Sequence, residues 1–171
     1  FGTTQPIGNG KVQTLADSLD KVVNLYRIRG FRVTLALMDN QFRPLEGHMP
    51  VGCQLNIVSA EEHVGLVERY IRTLKERSQC VVGVLPFKLL PRALSRGIVE
   101  SRNFFLNCFP RKGGISKVYS PRAIVLGKSI DYNKHCQLQT GQYVEAHEKT
   151  DNTMRRRTEP AIFLHPSGND Q

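Results

Sequence analysis

Residues 15–39 read LADSLDKVVNLYRIRGFRVTLALMD, and their texture changes once, at Gly30. Before the glycine, Leu15, Leu19, Val22, Val23 and Tyr26 recur at i, i+4, i+7, i+8 and i+11, which places them on one face of a helix. Gly30 suits the C-terminal end of such a helix, because it accepts a left-handed backbone without a Cβ clash. After it, FRVTLALMD is apolar, partly β-branched and of strand length, and Asp39-Asn40 closes it. A helix that feeds straight into an apolar strand is the unit of an α/β fold.

Working outward, NQFRPLEGHMPVG holds two Pro and two Gly without periodicity and reads as a loop. CQLNIVS is a second short strand. Ser59-Ala60-Glu61-Glu62 then has the S-x-x-E form of a capping box, with Ser59 as N-cap. A helical period runs on through Val64, Val67, Ile71 and Leu74 to about Val82, where Leu85-Pro86 stops it. A further long helix is expected from Leu89 to Phe109, with Pro91 near its first turn, Pro110 at its end and an unexplained Gly97 inside it. Beyond Pro110 the chain turns loop-rich, with one short apolar stretch, AIVLG. QYVEAHE and PAIFLHP follow as short strands around the basic turn DNTMRRRTE. The expected organisation is a loose N-terminal segment at 1–13, an α/β core at 14–112, and a linker with an incomplete small β module at 113–171.

The chain has 171 residues, enough for one ordinary domain or one domain and part of another. Lys and Arg number 24 against 15 Asp and Glu, giving a net charge of +9 and a pI near 9.7. That surplus favours polyanionic partners, either nucleic acid or an anionic membrane surface. The membrane alternative is the weaker one, because no amphipathic helix is flanked by a polybasic run. No apolar stretch approaches the roughly 18–20 residues that span a bilayer. The first residues lack the charged and apolar regions of a signal peptide, and the absence of an initiator Met leads to the expectation of a processed product or a fragment. Cys53, Cys80, Cys108 and Cys136 form no CxxC and stand at no metal-ligand spacing with His, so they are expected to be reduced core residues of an intracellular protein.

The segment HVGLVERYIRTLKER, residues 63–77, poses the functional question. Glu68, Arg72 and Lys75 lie at i, i+4 and i+7, on one helical stripe. Val64, Val67, Ile71 and Leu74 are expected to form the opposite, buried side. Taken alone, Glu68 and Arg72 are an ordinary surface pair worth about 0.2–0.5 kcal/mol. A second carboxylate changes the chemistry available. Asp39 ends an apolar strand, where ligands bind in α/β sheets, although Asp-Asn is also a frequent turn. Two carboxylates on neighbouring elements can hold Mg²⁺ for phosphoryl transfer, with Arg and Lys beside them on the phosphate backbone. Arg155, Arg156 and Arg157 form a second basic cluster. Three adjacent arginines in a turn are usually a solvated loop, with phosphate contact as the functional alternative. His147 and His165 read as strand residues, since no Ser or Cys nucleophile pattern accompanies them.

Gly65, Glu68, Arg69, Arg72, Thr73 and Leu74 form the pattern G-x-x-E-R-x-x-R-T-L, which resembles the integrase region of copia-type retrotransposon polyproteins, in the retroviral integrase and ribonuclease H-like superfamily. LALMDNQF resembles the strand with that family's second Asp. LPFKLLPRALSRGIVESRNFFLNCFP resembles its helices after the catalytic Glu, and YSPRAIVLGKSIDYNKHCQL its S-P-x-x-x-x-x-G-x-x-x-D-Y link to a C-terminal β module. The resemblance implies a partial ribonuclease H-like integrase core with long C-terminal helices, followed by an incomplete small β module. It implies Asp39 and Glu68 as catalytic metal ligands for Mg²⁺ or Mn²⁺, and Arg69, Arg72, Lys75 and Arg77 as DNA contacts. In the intact family a metal-activated water trims the element's DNA ends, and the new 3′-hydroxyl attacks target DNA. The implied partners are DNA and further copies of the chain, with no membrane, and the implied location is the nucleus or a cytoplasmic particle. The chain also departs from the pattern. Residues 1–38 offer only Asp17 and Asp20 in place of the family's first Asp, both within the expected helix, and Ile71 stands where an Asn is usual. A fragment or decayed element, inactive alone, is the expectation; a non-catalytic basic module that binds nucleic acid is the alternative.

Overall fold

A computed structural model of the chain describes residues 1–58, 65–149, 153–154 and 156–167. The chain is mixed α/β, with long helices and two small two-stranded sheets. Helix α1 covers Val12–Arg27 and buries Ala16 and Val23. Gly30 follows with φ 79°, the left-handed turn its position calls for. Strand β1 is Leu35–Asp39, four residues shorter at its start than the apolar run beginning at Phe31. Phe31 goes instead to an edge-on contact with the Tyr26 ring, 6.3 Å between centroids.

Strand β2, Gln54–Val58, pairs parallel to β1, with Leu35 opposite Gln54 and Asp39 opposite Val58. The connection between them is not the loop its Pro and Gly content predicts. Asn40–His48 forms a 3-10 helix, started by the Asp39 side chain, which accepts from the Asn40 N–H at 2.8 Å. Its inward residue, Leu45, is 2% exposed. Fully burying a leucine stabilises by about 1.5–3 kcal/mol, enough to organise a segment that has no periodicity of its own.

Helix α2 spans Gly65–Val84 and helix α3 Arg92–Cys108. The Ser59 capping box, Glu61 and Val64 lie outside the described residues. The two helices pack on each other, and α3 is the better buried: Leu94 and Ile98 are 4% and 1% exposed, and Ser101 is fully buried. The apolar face of α2 departs from expectation. No residue of α2 is buried, and Val67 and Ile71 are 51% and 43% exposed, because that face opens on a cleft rather than on a packed layer.

The apolar stretch AIVLG within the loop-rich region is helical. Helix α4, Pro121–Leu126, has Ser120 as N-cap accepting from the Ala123 N–H, Pro121 in its first turn, and Gly127 at φ 67° closing it. Helix α5 is the single turn Tyr132–His135, capped by Asp131 accepting from the Asn133 N–H. Strands β3, Tyr143–His147, and β4, Thr158–Ile162, pair antiparallel. The second strand therefore ends before Phe163-Leu164-His165, which were expected inside it. His147 is a strand residue and His165 is not.

Residues 163–167 lie against α3. The His165 Nε2 is 2.9 Å from Glu100, which also pairs with Arg96 at 2.8 Å. Thr140 donates to Ser101 at 2.9 Å, and Phe104 stacks tilted on His135. Helix α3 thus meets α2, α4 and the residues around His135, Thr140 and His165. Cys53 and Cys108 are buried as expected, but Cys80 and Cys136 are exposed. Among the described residues no helix is long and apolar enough to cross a membrane.

Candidate functional site

Parallel pairing of β1 and β2 puts the C-terminal ends of both strands at the same edge, with Asp39 beside Val58. Helix α2 begins seven residues after β2, so its first turn, which carries Glu68, returns to that edge. The outcome is a cleft of about 850 Å³ between α1, the sheet, the 3-10 helix and α2. Leu19, Val22, Leu37 and Val67 supply its apolar walls, and Asp39 and Glu68 are its two carboxylates. Both acids are exposed. The structure thus brings to one cleft the two acids that the sequence singles out.

Asp39 has a structural task as well. Its Oδ1 accepts from Asn40 and starts the 3-10 helix, so the ordinary turn role and a place in the cleft coexist in one residue. No third carboxylate joins them among the described lining residues. Asp17 and Asp20 sit on α1, as expected, on its exposed side. Among the described residues no group of three or more His, Cys, Asp or Glu side chains is arranged to hold a metal ion. Two carboxylates remain a donor set that suits a hydrated Mg²⁺, which takes one or two from the protein and completes its shell with water and phosphate oxygens.

The basic residues divide between two faces of α2. Arg72 and Lys75 follow Glu68 at i+4 and i+7 and are exposed along the stripe that leaves the cleft. Arg69 is exposed one position off it. Arg77 shares its face with Tyr70 and Leu74, and that face meets α3: the Tyr70 hydroxyl donates to Asn103 at 2.6 Å. Burial, and then the charge of Arg77, hold the Arg102 guanidinium below its ordinary pKa, so Arg77 stands near α3 rather than in line with Arg72 and Lys75. Arg155 is outside the described residues, while Arg156 and Arg157 are exposed.

One set of functional-looking residues escaped the sequence reading. Asn103 and Asn107, i and i+4 on the buried face of α3, both hydrogen-bond the backbone of Gly2. No periodic signal marks them, since Arg96 and Glu100 share their side of the helix; their burial shows only in the structure, where buried amides are retained because they have partners. Compared with family models, with curated proteins and with solved structures, the chain finds no match in any of the three.

Proposed function

We propose that this chain is part of an integrase-type core of ribonuclease H-like design, from a copia-type retrotransposon polyprotein, and that its own remaining capacity is to bind DNA. The observation that supports this reading best is the convergence of Asp39 and Glu68, one at the end of a parallel strand and one on the first turn of a helix, on a single cleft from which Arg72 and Lys75 lead away. Carboxylates beside a basic track match the needs of a phosphodiester substrate: oxygen donors for a divalent cation and fixed positive charge for the phosphates. The exposed apolar face of α2 fits the same reading, as a surface that further elements of a complete core would cover.

Asp39 and Glu68 would hold Mg²⁺ or Mn²⁺ weakly. When bound, such an ion supplies Lewis-acid stabilisation of a phosphoryl oxygen. The protein's part is to place the two carboxylates at one sheet edge and to offer Arg69, Arg72 and Lys75 to the flanking phosphates. With the family's first Asp lacking a counterpart, we assign this chain DNA binding without strand cleavage.

The test is fluorescence anisotropy on a labelled duplex across a salt series, together with a nicking assay in Mg²⁺ and Mn²⁺. The expected result is affinity that falls steeply with salt, no nicking, and binding that Glu68→Gln leaves intact or strengthens. Affinity indifferent to salt would defeat the DNA reading. Metal-dependent nicking abolished by Glu68→Gln would replace it with an active enzyme.

A further inference from the structure

Between α2 and α3 the backbone of Gly2 is held by side chains alone. The Gly2 N–H donates to Asn107 Oδ1 at 2.9 Å, and the Gly2 carbonyl accepts from Asn107 Nδ2 at 2.7 Å and from Asn103 Nδ2 at 3.1 Å. One residue of main chain is therefore read at both its donor and its acceptor. The clamp is itself fixed: Asn107 Nδ2 also donates to the Asn103 carbonyl at 3.0 Å, and Asn103 Oδ1 accepts from the Tyr70 hydroxyl. Asn103 and Asn107 are 8% and 5% exposed, so their orientation is set by protein partners rather than by water.

Two features add selectivity. A Cβ at Gly2 would collide with the Tyr70 hydroxyl and ring. Tyr70 cannot swing away cheaply, because doing so gives up the hydroxyl bond to Asn103 and the stacking of Arg111, 5.5 Å over its ring. The position before the glycine is aromatic. Phe1 packs edge-on to Tyr26, 6.4 Å between centroids, and the Tyr26 hydroxyl reaches the Phe1 carbonyl at 3.4 Å.

We propose that Tyr26, Tyr70, Asn103 and Asn107 form a peptide-binding site that selects an aromatic–glycine dipeptide, and that Phe1-Gly2 is its occupant in cis. The segment so latched runs on into the carboxylate cleft, where Thr3, Gln5 and Ile7 form part of the lining. The assignment rests on the clamp geometry alone and does not depend on what the cleft binds.

The test uses the full chain carrying Gly2→Ala, whose own segment no longer seats, and a labelled peptide FGTTQPIG added in trans. Hydrogen exchange across residues 1–7 should rise sharply in this variant. The peptide should bind it at least tenfold tighter than it binds the unaltered chain, where the cis segment competes. A peptide with alanine in place of its first glycine should lose at least tenfold. A second measurement needs no substitution: excess FGTTQPIG added to the unaltered chain should raise exchange in residues 1–7 in proportion to occupancy, and the alanine peptide should not. Unchanged protection of residues 1–7 in Gly2→Ala would overturn the proposal. So would equal binding of the two peptides, or no trans binding to a chain whose own segment has come free.

Discussion

Gly97 of α3 lies directly beneath Leu164: a Cβ on the glycine would sit 2.8 Å from the Leu164 Cβ and 3.3 Å from its Cα. The glycine that weakens the helix in sequence terms thus lies at a close approach between α3 and the segment after β4. Gly97→Ala gains about 1 kcal/mol of helix propensity but overpacks a tight contact, which costs about 1–3 kcal/mol. The expected outcome is a net loss of up to roughly 2 kcal/mol, read from the urea midpoint, with faster hydrogen exchange in residues 163–167. An increase in stability would mean that Leu164 yields freely and that the contact does not constrain the helix.

The Tyr70 hydroxyl bonds Asn103, and burial raises its pKa while Arg111 pulls it back. Tyr70→Phe removes this donor from a buried amide, at a cost of about 0.5–1.5 kcal/mol. Denaturant titration should register that loss. The ring remains, so proteolytic susceptibility of residues 1–5 should rise less than in Asn107→Ala, which deletes the backbone clamp itself.

Burial pushes the Cys108 thiol up to about 11, against a smaller lowering by Arg122, with Cys136 adding a further rise. A thiol whose folded pKa lies above its unfolded value favours the folded state fully below the unfolded pKa, near 9. That contribution is lost as pH climbs through the folded value. The unfolding midpoint should therefore decline between pH 9 and pH 11, and more steeply in the unaltered protein than in Cys108→Ala, which lacks this titration. At pH 8 a thiol reagent should modify the exposed Cys80 and Cys136 quickly, and Cys53 and Cys108 only on unfolding.

Arg72 and Lys75 lie on the stripe that leaves the cleft, whereas Arg77, also exposed, lies on the side of α2 that carries Tyr70 to α3. If the stripe tracks a DNA backbone, Arg72→Ala and Lys75→Ala should each reduce the slope of log affinity against log salt by about 1. Arg77→Ala should change it by less than half as much. Equal effects from all three would indicate a diffuse attraction by net charge instead of a defined track.

What the sequence made legible was what has a period or a punctuation mark. The i, i+4, i+7 spacing gave α1 and most of α2, and an apolar run ending in Asp-Asn gave β1. Helix α4 was punctuated too: Ser120, Pro121 and Gly127 are an N-cap, a first-turn proline and a left-handed stop. Its six residues are too short to display a period. The 3-10 helix after Asp39 left no periodic trace either, since its order comes from the burial of Leu45 and one cap. For the carboxylate cleft, the residues were legible and their meeting was not; only the parallel pairing of β1 with β2 puts Asp39 at the edge to which Glu68 returns. The asparagine clamp depends on residues a hundred positions apart, Gly2 with Asn103 and Asn107, which no local pattern can join.

The margins of the β1–β2 pair bear on how the protein behaves in bulk. Among the described residues this sheet has two strands, so each keeps one unpaired edge, and β1 presents Leu35 and Leu37 half exposed beside it. An apolar strand with an open edge is a template for adding another chain. Their shared charge of +9 opposes such association. Salt shortens that repulsion to about 10 Å at 0.1 M. Aggregation should therefore accelerate with ionic strength, and neutralising the basic surface should act in the same direction.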